Sequence, residues 1–113
     1  MTETLAQRQL DAYNNRDIEA FAQCYAEDVQ LLRLQSGEVF CHGREQLHDT
    51  YGKMFAEHPD LHCTLVNRIV CGEIAIDEEE VRGLMPDSIL HAVAIYEVQN
   101  GIITRAWFAR DAS

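Results

Sequence analysis

The hydrophobic pattern changes period partway along the chain, and that change limits the architectures open to it. Up to about residue 57 the apolar residues recur at helical spacing. Beyond residue 62 they alternate, in segments rich in Val, Ile and Thr that are separated by turn dipeptides. Residues 4–14 read as a helix with Leu5, Ala6, Gln9, Leu10 and Tyr13 on one stripe, Gln9 being the polar exception. Asn14-Asn15-Arg16-Asp17 breaks it, and Asp17 is placed to N-cap a second helix carrying Ile18, Phe21, Ala22 and Tyr25. Residues 29–34 suggest a strand, followed by a loop at Gln35-Ser36-Gly37. A third helix follows Gly43 with Leu47, Tyr51, Met54 and Phe55 inward, and His58-Pro59-Asp60 ends it. Strands are expected over 62–71, 73–83, 88–98 and 102–109, with tight hairpins at Cys71-Gly72-Glu73 and Asn100-Gly101 and a middle connection at Pro86-Asp87. Helices first and an antiparallel meander afterwards define an α+β fold: three N-terminal helices packed on a curved, mostly antiparallel sheet.

A chain of 113 residues reads as one domain, 1–113, large enough to bury a core without staples. Its formal charge of −10, from 9 basic and 19 acidic residues, argues against nucleic acid and against an anionic membrane surface as partners. No signal peptide and no apolar run of membrane-spanning length are visible. Cys24, Cys41, Cys63 and Cys71 are irregularly spaced, and we read them as reduced thiols in a cytoplasmic protein. The metal-capable run His58-Pro59-Asp60-Leu61-His62-Cys63 straddles a turn and lacks a second cluster, so no metal is expected. With no phosphate loop or nucleophile elbow either, no cofactor is expected.

Three strings, "QRQLDAYNNRDIEAFAQCYAEDV", "GREQLHDTYGKMF" and "AVAIYEVQNGIITRAWF", resemble the NTF2-like superfamily, in particular its SnoaL-like and ketosteroid-isomerase-like members. The resemblance covers nearly the whole chain. It implies a cone whose sheet wraps around a helix-lined pocket, and pairing of many members through the outer sheet face. It does not imply one reaction, because this fold hosts isomerases, cyclases, hydrolases, dehydratases and proteins without chemistry. Registered against ketosteroid isomerases, Gln9 stands in place of the first-helix tyrosine, Arg33 in place of the aspartate base and Val93 in place of the second aspartate. Arginine cannot serve as a base near neutrality, so the steroid isomerase mechanism is disfavoured. The same registration implies that Gln9, Arg33 and Val93 line the pocket.

Strand alternation then places His91 and Ile95 beside Val93, and Phe108 beside Arg110. The run Asp77-Glu78-Glu79-Glu80 sits in the strand before. Pairing around Pro86-Asp87 sets Glu79 near His91, with Asp77 and Glu79 inward and Glu78 and Glu80 outward. Arg33 and Arg110 are the expected counter-charges. The functional expectation is a small-molecule enzyme acting by proton transfer, with His91 and Glu79 as acid and base and Asp77 as an alternative base. Gln9, Arg33, Tyr51, Val93, Phe108 and Arg110 would contact the ligand. The competing readings are a non-catalytic binding module and a dimeric accessory domain. Tyr96 and Trp107, beside Ala92 and Ala94, are expected on the outer face as anchors of a homodimer.

Overall fold

The computed structural model describes residues 1–111. Three helices, α1 (Thr2–Asn14), α2 (Ile18–Gln23) and α3 (Arg44–Glu57), cover one face of a six-stranded sheet. The strands are β1 (Tyr25–Arg33), β2 (Val39–His42), β3 (His62–Cys71), β4 (Ile74–Arg82), β5 (Leu90–Gln99) and β6 (Ile102–Arg110). Their order across the sheet is β2-β1-β6-β5-β4-β3, with only the β1–β6 pair parallel. Strand β6 thus lies between the β1–β2 pair and the strands β3–β5, joining two antiparallel halves into one surface.

The expected elements form, with their limits moved. Asp17 caps α2, its carboxylate accepting from the Ala20 backbone N–H at 3.1 Å. The strand expected at 29–34 begins at Tyr25, because α2 ends after six residues and Tyr25 continues as sheet. The short strand β2 lacks the length for an alternating signal and was not foreseen. Leu5, Ala6 and Ala12 of α1, Phe21 of α2, Leu47 and Phe55 of α3 and Tyr25, Val29, Leu31 and Ile103 of the sheet form the core between the layers.

The β4–β5 register differs from expectation by one residue. Glu79 lies opposite Ala92, and His91 lies opposite Glu80. Both strands stop short of the turn, leaving seven residues, 83–89, in the connection. Because side chains alternate between faces, this single step reverses the facing of β5. Ala92, Ala94 and Tyr96 point inward; His91, Val93 and Ile95 point outward. Tyr96 is 3% exposed and belongs to the core, so it is not an outer-face anchor. Trp107 does lie on the outer face, opposite Ile95, with the Arg105 guanidinium 5.1 Å from its ring centroid.

The start of the 83–89 connection is fixed by close backbone packing. Gly83 has φ +79°, and a Cβ there would meet the carbonyl of Asp60 and lie 2.7 Å from the Leu61 nitrogen. From the other side, Arg16 donates through Nη2 to the carbonyls of Leu61 (2.9 Å) and Pro59, tying the α3–β3 turn to the end of α1. Gly83→Ala should therefore destabilise the protein by about 2 kcal/mol or more. An unchanged urea midpoint and slope for that variant would show that the contact does not persist in solution.

Candidate functional site

Between the helices and the concave side of the sheet lies a cavity of about 460 Å³. Its walls are mostly apolar, with seven aromatic residues among them. Tyr13 and Tyr51 come from α1 and α3, Phe21 and Tyr25 from the α2–β1 segment, and Tyr96 and Phe108 from β5 and β6. The rings touch one another: Phe21 lies 5.0 Å from both Tyr25 and Tyr51, and Tyr96 meets Phe108 edge-on at 6.2 Å. One carboxylate, Glu79 of β4, opens into this space.

Glu79 is 7% exposed. Burial removes the water that would stabilise its charge, and the neighbouring Asp77 adds repulsion; together they push its pKa up to about 7. A hydrogen bond from the Cys63 thiol and the more distant Arg68 act in the opposite sense. The thiol itself is held protonated well above its usual range, first by burial and then by Glu79.

Asp77 faces inward, as expected, but it is not a pocket base. It is fully buried and forms a bidentate pair with Arg68 of β3, at 2.7 Å from Nε and 2.9 Å from Nη2. Arg68 Nη1 also donates to Gln7 Oε1 at 3.0 Å. Asp77 thus spends both oxygens on a partner outside the expected set: Arg33 and Arg110 are not its counter-charges.

Other expected residues separate into two groups. Tyr51, Phe108, Gln9, Arg33 and Arg110 line the cavity. Both polar atoms of Gln9 are already engaged: its Oε1 accepts from the Tyr25 hydroxyl at 3.1 Å, and its Nε2 donates one hydrogen to the Ala6 carbonyl at 3.0 Å. Arg33 and Arg110 stand at the mouth. Arg33 lies 3.3 Å from Glu38 and over the Phe40 ring at 4.8 Å. His91 and Val93 lie on the opposite face of the sheet. His91 is exposed and pairs with Glu78 at 2.7 Å, so it cannot exchange a proton with a ligand in the cavity.

The sequence reading missed Arg68 and Cys63 as polar members of the site. It took Tyr13 for wall and Tyr25 for a helix face. Tyr13 donates only to the Met54 sulfur, at 3.9 Å. The hydroxyls of Tyr51 and Tyr96 have no hydrogen-bond partner among the described residues, and both feel the charge of Glu79. No group of three or more His, Cys, Asp or Glu among the described residues could hold a metal ion. No helix among them is long and apolar enough to cross a membrane.

A helix-covered curved sheet around an internal cavity is the NTF2-like α+β cone. The chain belongs to the SnoaL-like domain family, whose model matches residues 6–106. Solved structures agree on the fold. An uncharacterised cystatin-fold protein from Novosphingobium aromaticivorans superposes with a TM-score of 0.88 at 23% identity, covering 96% of this chain and 97% of that one. A candidate ketosteroid isomerase from Kribbella flavida gives 0.84 at 26% identity, covering 99% and 78%. A candidate polyketide cyclase from Sinorhizobium meliloti gives 0.80 at 16% identity, covering 94% of each chain. No curated protein matches the sequence at a significant level.

The buried acid carries a stability signature. In the unfolded chain Glu79 ionises near its ordinary 4.5, and in the folded chain near 7. Between those values the folded state binds more protons, so stability falls as pH rises. Below about 4.5 the cost is absent; above about 7 it is complete. Glu79→Gln should match wild type near pH 4 and exceed it at pH 8 by on the order of 2–3 kcal/mol. Equal urea midpoints for the two proteins at both pH values would place Glu79 in water.

Proposed function

We propose that the protein is a small-molecule enzyme in which Glu79 moves a proton to and from carbon or oxygen of a bound ligand. The observation that carries this reading is a lone carboxylate in an apolar, aromatic cavity with its pKa pushed up to about 7. A general base is most effective when its pKa lies near the working pH. Burial beside Asp77 brings this carboxyl there, and the Cys63 thiol holds it by a hydrogen bond.

Proton abstraction beside a carbonyl leaves negative charge on the carbonyl oxygen, which needs a donor. Tyr51 and Tyr96 supply the hydroxyls best suited to it, since Tyr25 is committed to Gln9 and Tyr13 to Met54. The ketone oxygen would accept from one or both tyrosines while Glu79 takes the adjacent C–H proton and returns it elsewhere on the ligand. Membership of the SnoaL-like family is compatible with isomerase and cyclase chemistry of this kind. Arg33 cannot act as the aspartate base of ketosteroid isomerases and Val93 lies outside the cavity, so Glu79 on β4 would be a different solution within the same cone.

The test is deuterium exchange from D2O into aryl-alkyl ketones, 4-phenylbutan-2-one among them, followed by NMR. Wild type should exchange the protons next to the carbonyl faster than buffer, with a rate that rises with pH through about 7 as Glu79 ionises. Glu79→Gln should lower the rate by about 100-fold or more. Exchange that survives this substitution would remove Glu79 as the base.

We also propose a homodimer through the outer sheet face. Six apolar residues stand in register across all six strands there: Ile69, Ile76, Ile95, Trp107, Leu32 and Val39. Ile69 and Val39 at its ends are 56% and 43% exposed. A continuous apolar row of this kind favours covering by another surface. Sedimentation velocity should give twice the chain mass for wild type and the single-chain mass for Ile95→Asp. A wild-type monomer at micromolar concentration would rule the dimer out.

A further inference from the structure

The strand register lays out the cavity floor, and that floor has two ends of opposite charge. One cross-sheet row runs Glu79, Ala92, Arg110 over β4, β5 and β6. The next runs Asp77, Ala94, Phe108, Arg33 over β4, β5, β6 and β1; Phe108 and Arg33 line the cavity, while Asp77 and Ala94 are fully buried. Both rows therefore begin at a carboxylate, cross an alanine methyl on β5, and end at an arginine. Strands are spaced by about 4.8 Å, so the Glu79 and Arg110 backbones stand about 10 Å apart and Arg33 about 14 Å from β4. Between the two ends, the small side chain of Ala92 leaves a trough, with Phe108 forming part of its wall and Tyr96 lying deeper.

The two ends are not equivalent toward a charged ligand. At the deep end Asp77 is neutralised by Arg68, whereas Glu79 has no cation of its own among its hydrogen bonds and ion pairs. An anionic group placed there would meet Glu79 in a space with little water to screen it. At the mouth, Arg110 has no ion-pair partner among the described residues. Arg33 shares its charge with Glu38 and lies over the Phe40 ring, with Gln35 also in the lining. A guanidinium offers a planar fork that matches a carboxylate. A chain of net charge −10 repels anions in general, so two arginines at the cavity mouth are a local exception to its field.

We propose that the cavity is specific for small carboxylic acids with an apolar body. The carboxylate is held by Arg110 and Arg33, the body lies over Ala92, and the uncharged far end is delivered to Glu79. This rests on the proton-transfer reading for what happens at the deep end, and it adds the substrate class: an aryl or alkyl acid bearing its carbonyl several bonds from the carboxylate. The carboxylate fixes which way round the ligand enters, so the reacting carbon meets Glu79 rather than the mouth.

Three probes of one shape and different charge test it: 4-phenylbutanoate, 4-phenylbutanamide and 4-phenylbutylamine, titrated by calorimetry at pH 6. The carboxylate should bind at least tenfold more tightly than the amide, and the ammonium more weakly than either. The double variant Arg33→Gln/Arg110→Gln should abolish the preference while leaving the affinity for the amide within about twofold. Ala92→Phe should fill the trough and weaken the carboxylate and the amide alike. Glu79→Gln should keep the carboxylate preference, so loss of proton exchange in that variant is distinguishable from loss of ligand recognition. Equal binding of acid and amide, tighter binding of the amine, a preference that persists without both arginines, or no binding of any probe would each overturn the proposal.

Discussion

The buried pair between Arg68 and Asp77 is the constraint around which the sheet and its cavity are arranged. Two charges leave water here, and removing either partner alone would cost about 3–5 kcal/mol because the other would remain buried. The bidentate geometry and the third bond to Gln7 compensate that desolvation and bind β3, β4 and α1 at one point. β3 carries an irregularity between Leu65 and Asn67, and the Arg68–Asp77 pairing lies just beyond it. Inward-facing Arg68 therefore sets how β3 rejoins the β4 register after the bulge.

This pair also gives Glu79 its character. Had Arg68 reached Glu79 instead, the carboxyl would be an ordinary ionised group in a salt bridge. Because Asp77 takes the guanidinium, Glu79 is left with burial and a neighbouring negative charge, both of which favour its protonated form. A structural ion pair and a titratable acid thus arise from adjacent inward positions on one strand. The strand must carry acids at alternate positions for this to occur, which accounts for two members of the run Asp77-Glu78-Glu79-Glu80. The other two are surface groups: Glu78 meets His91 and Glu80 approaches Arg82 at 3.8 Å.

Much of this was legible in the sequence, and the part that was not has a single geometric source. The change from helical to alternating period gave the layers, and the flanking Ile74, Ile76 and Val81 marked the acidic run as strand, with Asp77 and Glu79 inward. Alternation within one strand is a local property and survives an error in pairing. The relation of one strand to the next does not. The connection 83–89 has no tight-turn signature to fix its length, so the facing of His91 and Val93 could not be fixed from the chain alone, and both lie outside. Asn100-Gly101, by contrast, closes a short hairpin, and Phe108 and Arg110 face inward as the pattern implied. Arg68 escaped notice because it sits beyond the Leu65/Asn67 irregularity, where simple alternation no longer tells which side a residue faces.

Loss of His91 from the cavity simplifies the chemistry. With a histidine beside it, Glu79 would have been stabilised as an anion and held near the ordinary carboxylate range. Without one, the wall around Glu79 supplies apolar side chains, tyrosine hydroxyls and a thiol, none of which is charged near neutrality, and the two arginines stand at the mouth. The proton on Glu79 is therefore governed by solvation, and a ligand that displaces water from the cavity acts on it directly. An uncharged ligand body favours the protonated acid; an oxyanion held by Tyr51 or Tyr96 opposes a charged carboxylate beside it and favours the same state. In the proposed transfer of a proton from carbon to Glu79, the negative charge would move from the carboxylate to the ligand oxygen, away from Asp77 and toward hydroxyl donors. The arrangement of one unpaired acid, one neutralised acid and uncommitted tyrosines favours that direction of charge transfer.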